Sequence, residues 1–248
     1  MEITSILGPV LGIVAVCGTA MIKGLPVSAL VGGSAAMIVG LGTLSAVLGA
    51  YPLKDVIFSF KSLGVFFNGP KLHTDLAIAD IERLAQLARK DGVLALEKEI
   101  EKLDDAFMKK GIEMVSMNVD PPVIEESLYN EISMMYEEEE VAAKFWEDMG
   151  AFSPTVGIIG AVLGLMVVML NLNNPDEIGP GIKAAFIATI YGVGIANLFA
   201  LPCGKKIKRM CHHKKIYREI VATGIIGIAM GTSPKDLVER LKGMAGGH

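Results

Sequence analysis

Charge is absent from four stretches of this 248-residue chain: 3–22, 24–53, 149–175 and 184–204 contain no Asp, Glu, Lys or Arg. Soluble domains carry roughly 25% charged residues over their surfaces. Here the share is 20%, crowded into the segments between those stretches. A bilayer core about 30 Å thick is crossed by roughly 20 apolar residues of helix, and each stretch is long enough. A soluble enzyme is therefore excluded as the whole account. Basic surface is also lacking. A net charge of −4 offers little to a phosphate backbone, so nucleic acid is not an expected partner. Cysteine is scarce, and Cys17, Cys203 and Cys211 are too scattered for a disulfide framework. The cluster Cys203, Cys211, His212 and His213 is a single set, whereas zinc ligands come as close pairs from two elements. No metal or cofactor is expected there, only a juxtamembrane helix with polar residues toward headgroups. The chain opens Met1-Glu2-Ile3-Thr4, without the positive region of a cleavable signal. Residues 3–22 are thus expected to be a retained span. The alternating β-branched pattern of strands is missing throughout.

These features predict an all-α integral membrane protein with four transmembrane helices, at about 3–22, 27–50, 152–172 and 182–203. The expected divisions are 1–50 for the first two spans, 51–150 for a helical cytoplasmic domain, 151–204 for the last two spans, and 205–248 for a basic cytoplasmic tail. Residues 51–150 hold 11 Lys/Arg and the tail holds 10, including Lys205-Lys206-Ile207-Lys208-Arg209 against the membrane. Lys and Arg near span ends mark the cytoplasmic side, so both termini and the large loop are expected inside. Within the loop, 53–67 reads as an amphipathic surface helix. Asp75 is the expected cap of a helix to Lys90, 93–110 reads as a further helix ending at Gly111, and Pro121-Pro122 starts a long helix toward span three. The apolar window 220–234 is too short to span and is expected to pack on the cytoplasmic bundle.

The spans lack any carboxylate. Ionisable residues at membrane depth are expensive and mark ion pathways, and here only Thr155, Thr189, Tyr191 and Asn197 offer polar atoms. A helix Thr by default bonds its own backbone. Yet Pro154 lies at the entry to span three, Pro202 ends span four, and Gly157, Gly160, Ala161, Gly164, Gly192 and Ala196 are small. Small residues four apart let helices approach closely. Spans three and four are therefore expected to pack against another helix, whose carboxylate carries the ion.

The stretch Ala185-Phe186-Ile187-Ala188-Thr189-Ile190-Tyr191-Gly192, with Pro202 ten residues on, resembles the signature of the flagellar motor stator A subunit, the MotA/PomA family. So does Pro154-Thr155-Val156-Gly157-Ile158-Ile159-Gly160-Ala161 and the run to Leu165. The resemblance covers nearly the whole chain and departs at Gly194, where the signature usually has a large apolar residue. It implies a ring, five A subunits around two B-type subunits, each B subunit with a single span and an essential Asp. That complex, in the bacterial inner membrane, couples ion flow to torque on the flagellar rotor. The resemblance makes Thr189 the hydroxyl beside the ion carrier, with Thr155 and Ala161 along the pathway. It makes Pro154 and Pro202 coupling residues, and Arg89 and Glu97 the charged pair that meets the rotor switch-complex protein. Sodium-driven relatives tend to place a Thr seven residues after the span-three Pro. Here that residue is Ala161, whose methyl cannot coordinate a hard cation, so protons are favoured and sodium is the alternative. Membrane lipid is the remaining partner, and no enzyme activity is implied. Two other readings stand beside this one. An ExbB/TolQ-like energy-transducing subunit would have three spans and a large extracytoplasmic start. An autonomous transporter would need an internal repeat or a midplane binding residue, and neither is present.

Overall fold

The computed structural model describes residues 2–70 and 72–246, with the backbone alone at residue 177. No strand occurs among the described residues, and four helices are long and apolar enough to cross a membrane. The chain is clustered into two compact units, Met1–Gly69 with Glu139–Met210, and Pro70–Glu138 with Cys211–His248.

The first unit holds the spans. Helix α1, Ile3–Ile22, coincides with the first expected span. The second, expected over 27–50, differs at its start. Val27–Leu30 is a 3₁₀ turn, Val31 and Gly32 are extended, and α2 runs only from Gly33 to Ala50. Tyr191 explains why the break is tolerated: its hydroxyl donates to the Leu30 carbonyl at 2.9 Å and accepts from the Gly32 N–H at 3.3 Å. Both backbone groups would otherwise be unpaired in an apolar surrounding, at about 1–3 kcal/mol each. Helices α3, Leu53–Lys61, and α4, Leu63–Asn68, replace the single surface helix expected at 53–67 and meet at Ser62. The Ser62 hydroxyl bonds the Ser59 carbonyl at 2.6 Å.

In the second unit, α5 is Thr74–Asp91, α6 Glu97–Ile100 and α7 Ala106–Ser116. Asp75 lies in the first turn of α5 and is not its cap, which is His73. The helix expected over 93–110 is broken into a 3₁₀ turn, α6 and the start of α7. The new start is fixed by Asp105, whose carboxylate accepts from the Phe107 and Met108 N–H groups. Gly111 does not end a helix. It lies inside α7, where a side chain would collide with Ile225. Helix α8, Pro121–Leu170, belongs to this unit up to Glu138 and to the first unit from Glu139 on. In the first unit follow α9, Pro175–Ile195, and a π-helical turn at Ala196–Ala200; α10, Leu201–Ala229, passes into the second unit after Met210, and α11 is Pro234–Ala245. The core of the second unit is one cluster including Ile81, Leu84, Met108, Ile112, Leu128 and Ile225. It takes in Ile220–Ile228 of α10, as the apolar tail window leads one to expect. Each such side chain contributes about 1.5–3 kcal/mol by leaving water.

Candidate functional site: the span-three and span-four pair

Helices α8 and α9 touch backbone to backbone along their small residues. A Cβ added at Gly157 would lie 2.9 Å from the Ala188 carbonyl, and one at Gly164 would lie 2.9 Å from the Gly181 carbonyl. A Cβ on Gly192 would lie 2.6 Å from the Ser153 carbonyl, and one on Gly160 2.8 Å from the Ala188 Cβ. The expected packing surface is thus used within the chain, span three against span four, with α2 closing in through Ile38 beside Gly160 and Val156 beside Gly42. Ser153, fully buried, adds a hydroxyl bond to the Gly192 carbonyl at 3.0 Å.

What remains for another helix is the opposite face. Thr155, Ile158, Ile159, Val162, Phe186, Thr189, Ile190 and Val193 are exposed, whereas Gly157, Gly160, Ala185 and Ala188 are buried in the pair. The Gly160–Ala188 contact places Ala161 and Thr189 within one helical turn of each other's level on the two antiparallel helices. Thr155 lies six residues before Ala161, about 9 Å along α8. Thr189 bonds its own Ala185 carbonyl at 3.2 Å, and Thr155 bonds the Phe152 carbonyl at 2.7 Å. Hydroxyl bonds peak near 2.7–2.8 Å, so the Thr189 bond is the longer of the two.

Pro154 sits inside α8 against Gly192. It has no N–H to give the Gly150 carbonyl, and its ring crowds that carbonyl. Pro202 lies in the first turn of α10, directly after the π-turn. There the Leu201 N–H bonds the Ala196 carbonyl, five residues back. The wider turn makes room for a proline ring that would clash with the carbonyl four residues before it. Nothing in the composition of 196–200 announces this turn. Gly194 has open space around it and lines a cavity of about 680 Å³ with Pro9, Cys17, Val31, Ile190 and Leu198.

The charged pair Arg89 and Glu97 lies in the second unit. Arg89 is in the last turn of α5 and Glu97 opens α6; both are exposed, with Leu94 72% exposed between them. Gly92 makes the intervening bend at φ +83, where a side chain would be strained. The segment is braced by Glu99, which pairs with Lys102 at 2.7 Å and with Arg83. Lys102, then Arg83, hold the Glu99 carboxyl below the usual range. Cys203 and Cys211 are buried and eight residues apart on α10, about 12 Å.

Residues 99–220 match the MotA/TolQ/ExbB proton channel family. Motility protein A of Bacillus subtilis is 34% identical over 242 residues, 97% of this chain and 90% of that one. The chain belongs to the motility protein A family. Two solved structures carry the likeness into three dimensions. The C. jejuni MotAB structure superposes with a TM-score of 0.93 at 29% identity, over 98% of this chain and 96% of that one. The flagellar MotAB stator complex from Bacillus subtilis gives 0.89 at 33% identity, over 97% and 95%. In this motility protein A family member, the buried glycine stripe and the two prolines are the parts of the sequence signature whose geometry is now explicit. Ser153, Tyr191 as a tie to the α2 start, and Lys206 (described below) were not legible as partners from sequence. Each acts on a segment remote along the chain.

Proposed function

We propose that this chain is the A subunit of a flagellar stator. It sits in the bacterial inner membrane with both termini and the loop 51–150 in the cytoplasm, and it is part of a channel whose ion flow drives rotation. The observation that carries this reading is the near full-length likeness to MotAB stator structures combined with spans that hold no carboxylate. The missing acid belongs to B-type subunits, one Asp on each single span, encircled by a ring of A subunits, five around two. Thr189 lies on the exposed face of span four, with its back-bond to the Ala185 carbonyl. A hydroxyl can donate to an ionised Asp and accept from a protonated one, so it serves both states of the carrier. Ala161, within one helical turn of its level, supplies only a methyl. The ion is a proton, because a sodium site wants several oxygens. Pro154 and Pro202 set the bends through which carrier loading moves span four. Arg89 and Glu97 dock the rotor switch-complex protein, and membrane lipid covers the outer apolar faces.

The test is dye-reported proton and sodium flux in vesicles bearing this chain with a B-type partner, beside motility in a host lacking its own stators. Partner-dependent proton flux with restored swimming supports the reading. Flux carried by sodium alone would overturn the choice of ion, and no flux or motility with the partner would overturn the stator reading.

A further inference from the structure

Lys206 was expected to face lipid headgroups with the rest of 205–209, but it turns inward. Its ammonium donates to the Glu2 carboxylate at 3.1 Å, to the Thr4 hydroxyl at 2.7 Å and to the Ser5 hydroxyl at 2.7 Å. A lysine has three donors, and all three are taken by the start of α1. Ser5 is 1% exposed and passes its own proton on to the Phe66 carbonyl, while the Glu2 N–H bonds the Phe67 carbonyl at 2.7 Å. The same ammonium stands 5.7 Å from the centre of the Phe66 ring. Phe66 also meets Phe199, at 6.3 Å between ring centres. Phe199 belongs to the π-turn and in turn packs on Trp146 at 5.7 Å.

Phe199 lies three residues before Pro202 and Lys206 four residues after it. One side chain of α4, Phe66, therefore touches residues that lie on both sides of Pro202 in the chain. The cation would be poorly placed beside the positive N-terminal end of α1, and Glu2 compensates it there. Lys208, two residues on, is used differently: it pairs with Glu140 of α8 at 3.0 Å, whereas Lys205 and Arg209 remain exposed.

We propose that Lys206 is a positioning residue for the bend of span four: it brackets Pro202 through Phe66 and ties the bend to the start of α1. A rotation or tilt of α10 at Pro202 then carries α1 and α4 with it, instead of being absorbed by the π-turn. This rests on the stator reading for its consequence, torque, but not for the contact itself.

Three variants test it, each co-expressed with a B-type partner in a host without stators. Lys206→Met keeps the stem on Phe66 and removes the ammonium. Lys206→Arg keeps the charge. The exchange Glu2→Lys with Lys206→Glu reverses the pair. Rotation of tethered cells, flux per complex in vesicles, protein level, and amide exchange across 2–6 and 196–206 are read together. Lys206→Met is expected to slow rotation at least threefold at normal protein level, with flux within twofold of wild type and faster exchange in both segments. Lys206→Arg and the charge exchange should recover most of the speed. Normal rotation and unchanged exchange in Lys206→Met would overturn the proposal. So would a loss of rotation that only follows a loss of protein, or a parallel fall in flux. If even the wild-type chain gives no partner-dependent flux, the stator reading fails, and the exchange measurement alone decides whether the bracket exists.

Discussion

At the scale of single residues, the proposed function rests most on the hydroxyl at 189 and the charge at 89. Thr189 sits 13 residues before Pro202, about 20 Å along a helix, and shares an exposed face with Phe186, Ile190 and Val193. Thr189→Val keeps the volume and removes the hydroxyl's bond, at about 1–3 kcal/mol for the carrier state that depends on it. Swimming is expected to fall strongly while immunoblots show normal protein. Thr155→Val, which loses a tighter bond to its own backbone, is expected to be milder. Normal swimming and normal flux in Thr189→Val would reduce the residue to an ordinary helix threonine. Arg89 is exposed at the end of α5, so Arg89→Glu should leave membrane insertion and flux intact while impairing rotation. A compensating reversal on the rotor protein should restore part of the loss, read as the coupling term of a double-mutant cycle. Lost expression without rescue by any rotor charge would indicate a role in folding instead.

At the scale of elements, the helices were readable where apolar content or proline set them and unreadable where a distant side chain did. The π-turn at Ala196–Ala200 follows from Pro202 on one side and from Phe199 and Leu198 packing on the other. Pro202→Ala returns an N–H to the helix, so the turn is expected to tighten toward α geometry. Torque should fall while assembly with the partner persists, as judged by co-purification; Pro154→Ala is expected to behave alike. Full motility in both would show that the bends are punctuation only. The break between α6 and α7 has a local cause that the sequence does contain, an Asp followed by helix formers. Asp105 caps α7 and also accepts the Tyr217 hydroxyl at 2.7 Å. Asp105→Ala is expected to cost about 0.5–2 kcal/mol from the lost cap, with a further penalty from the stranded hydroxyl. A lowered midpoint of thermal unfolding in detergent, partly restored by Asp105→Asn, checks this.

At the scale of the whole molecule, the spans hold no carboxylate, so on the proposed function vesicles with this chain alone are expected to show no flux above empty vesicles. Robust flux without a partner would sink the shared pathway. Four spans, their order and the helical class came from the sequence alone, because the bilayer demands long uncharged runs and satisfies the backbone only within helices. The resemblance of 154–165 and 185–192 to a stator signature came from local residues as well. Where a stretch's own composition was decisive, as in 3–22 or the core window in α10, expectation and structure coincide. Tertiary structure decided the rest. It turned the glycine stripe of spans three and four toward one another, so that Gly192 is buried in the pair and Thr189 is left exposed. It started α2 at Gly33 because Tyr191, some 160 residues away, binds the broken turn. It drew Lys206 from the headgroups to Glu2, Thr4 and Ser5. Periodicity and propensity report what a segment prefers by itself; these three outcomes depend on hydrogen bonds and close contacts between segments far apart in the chain, which form only once the helices are packed.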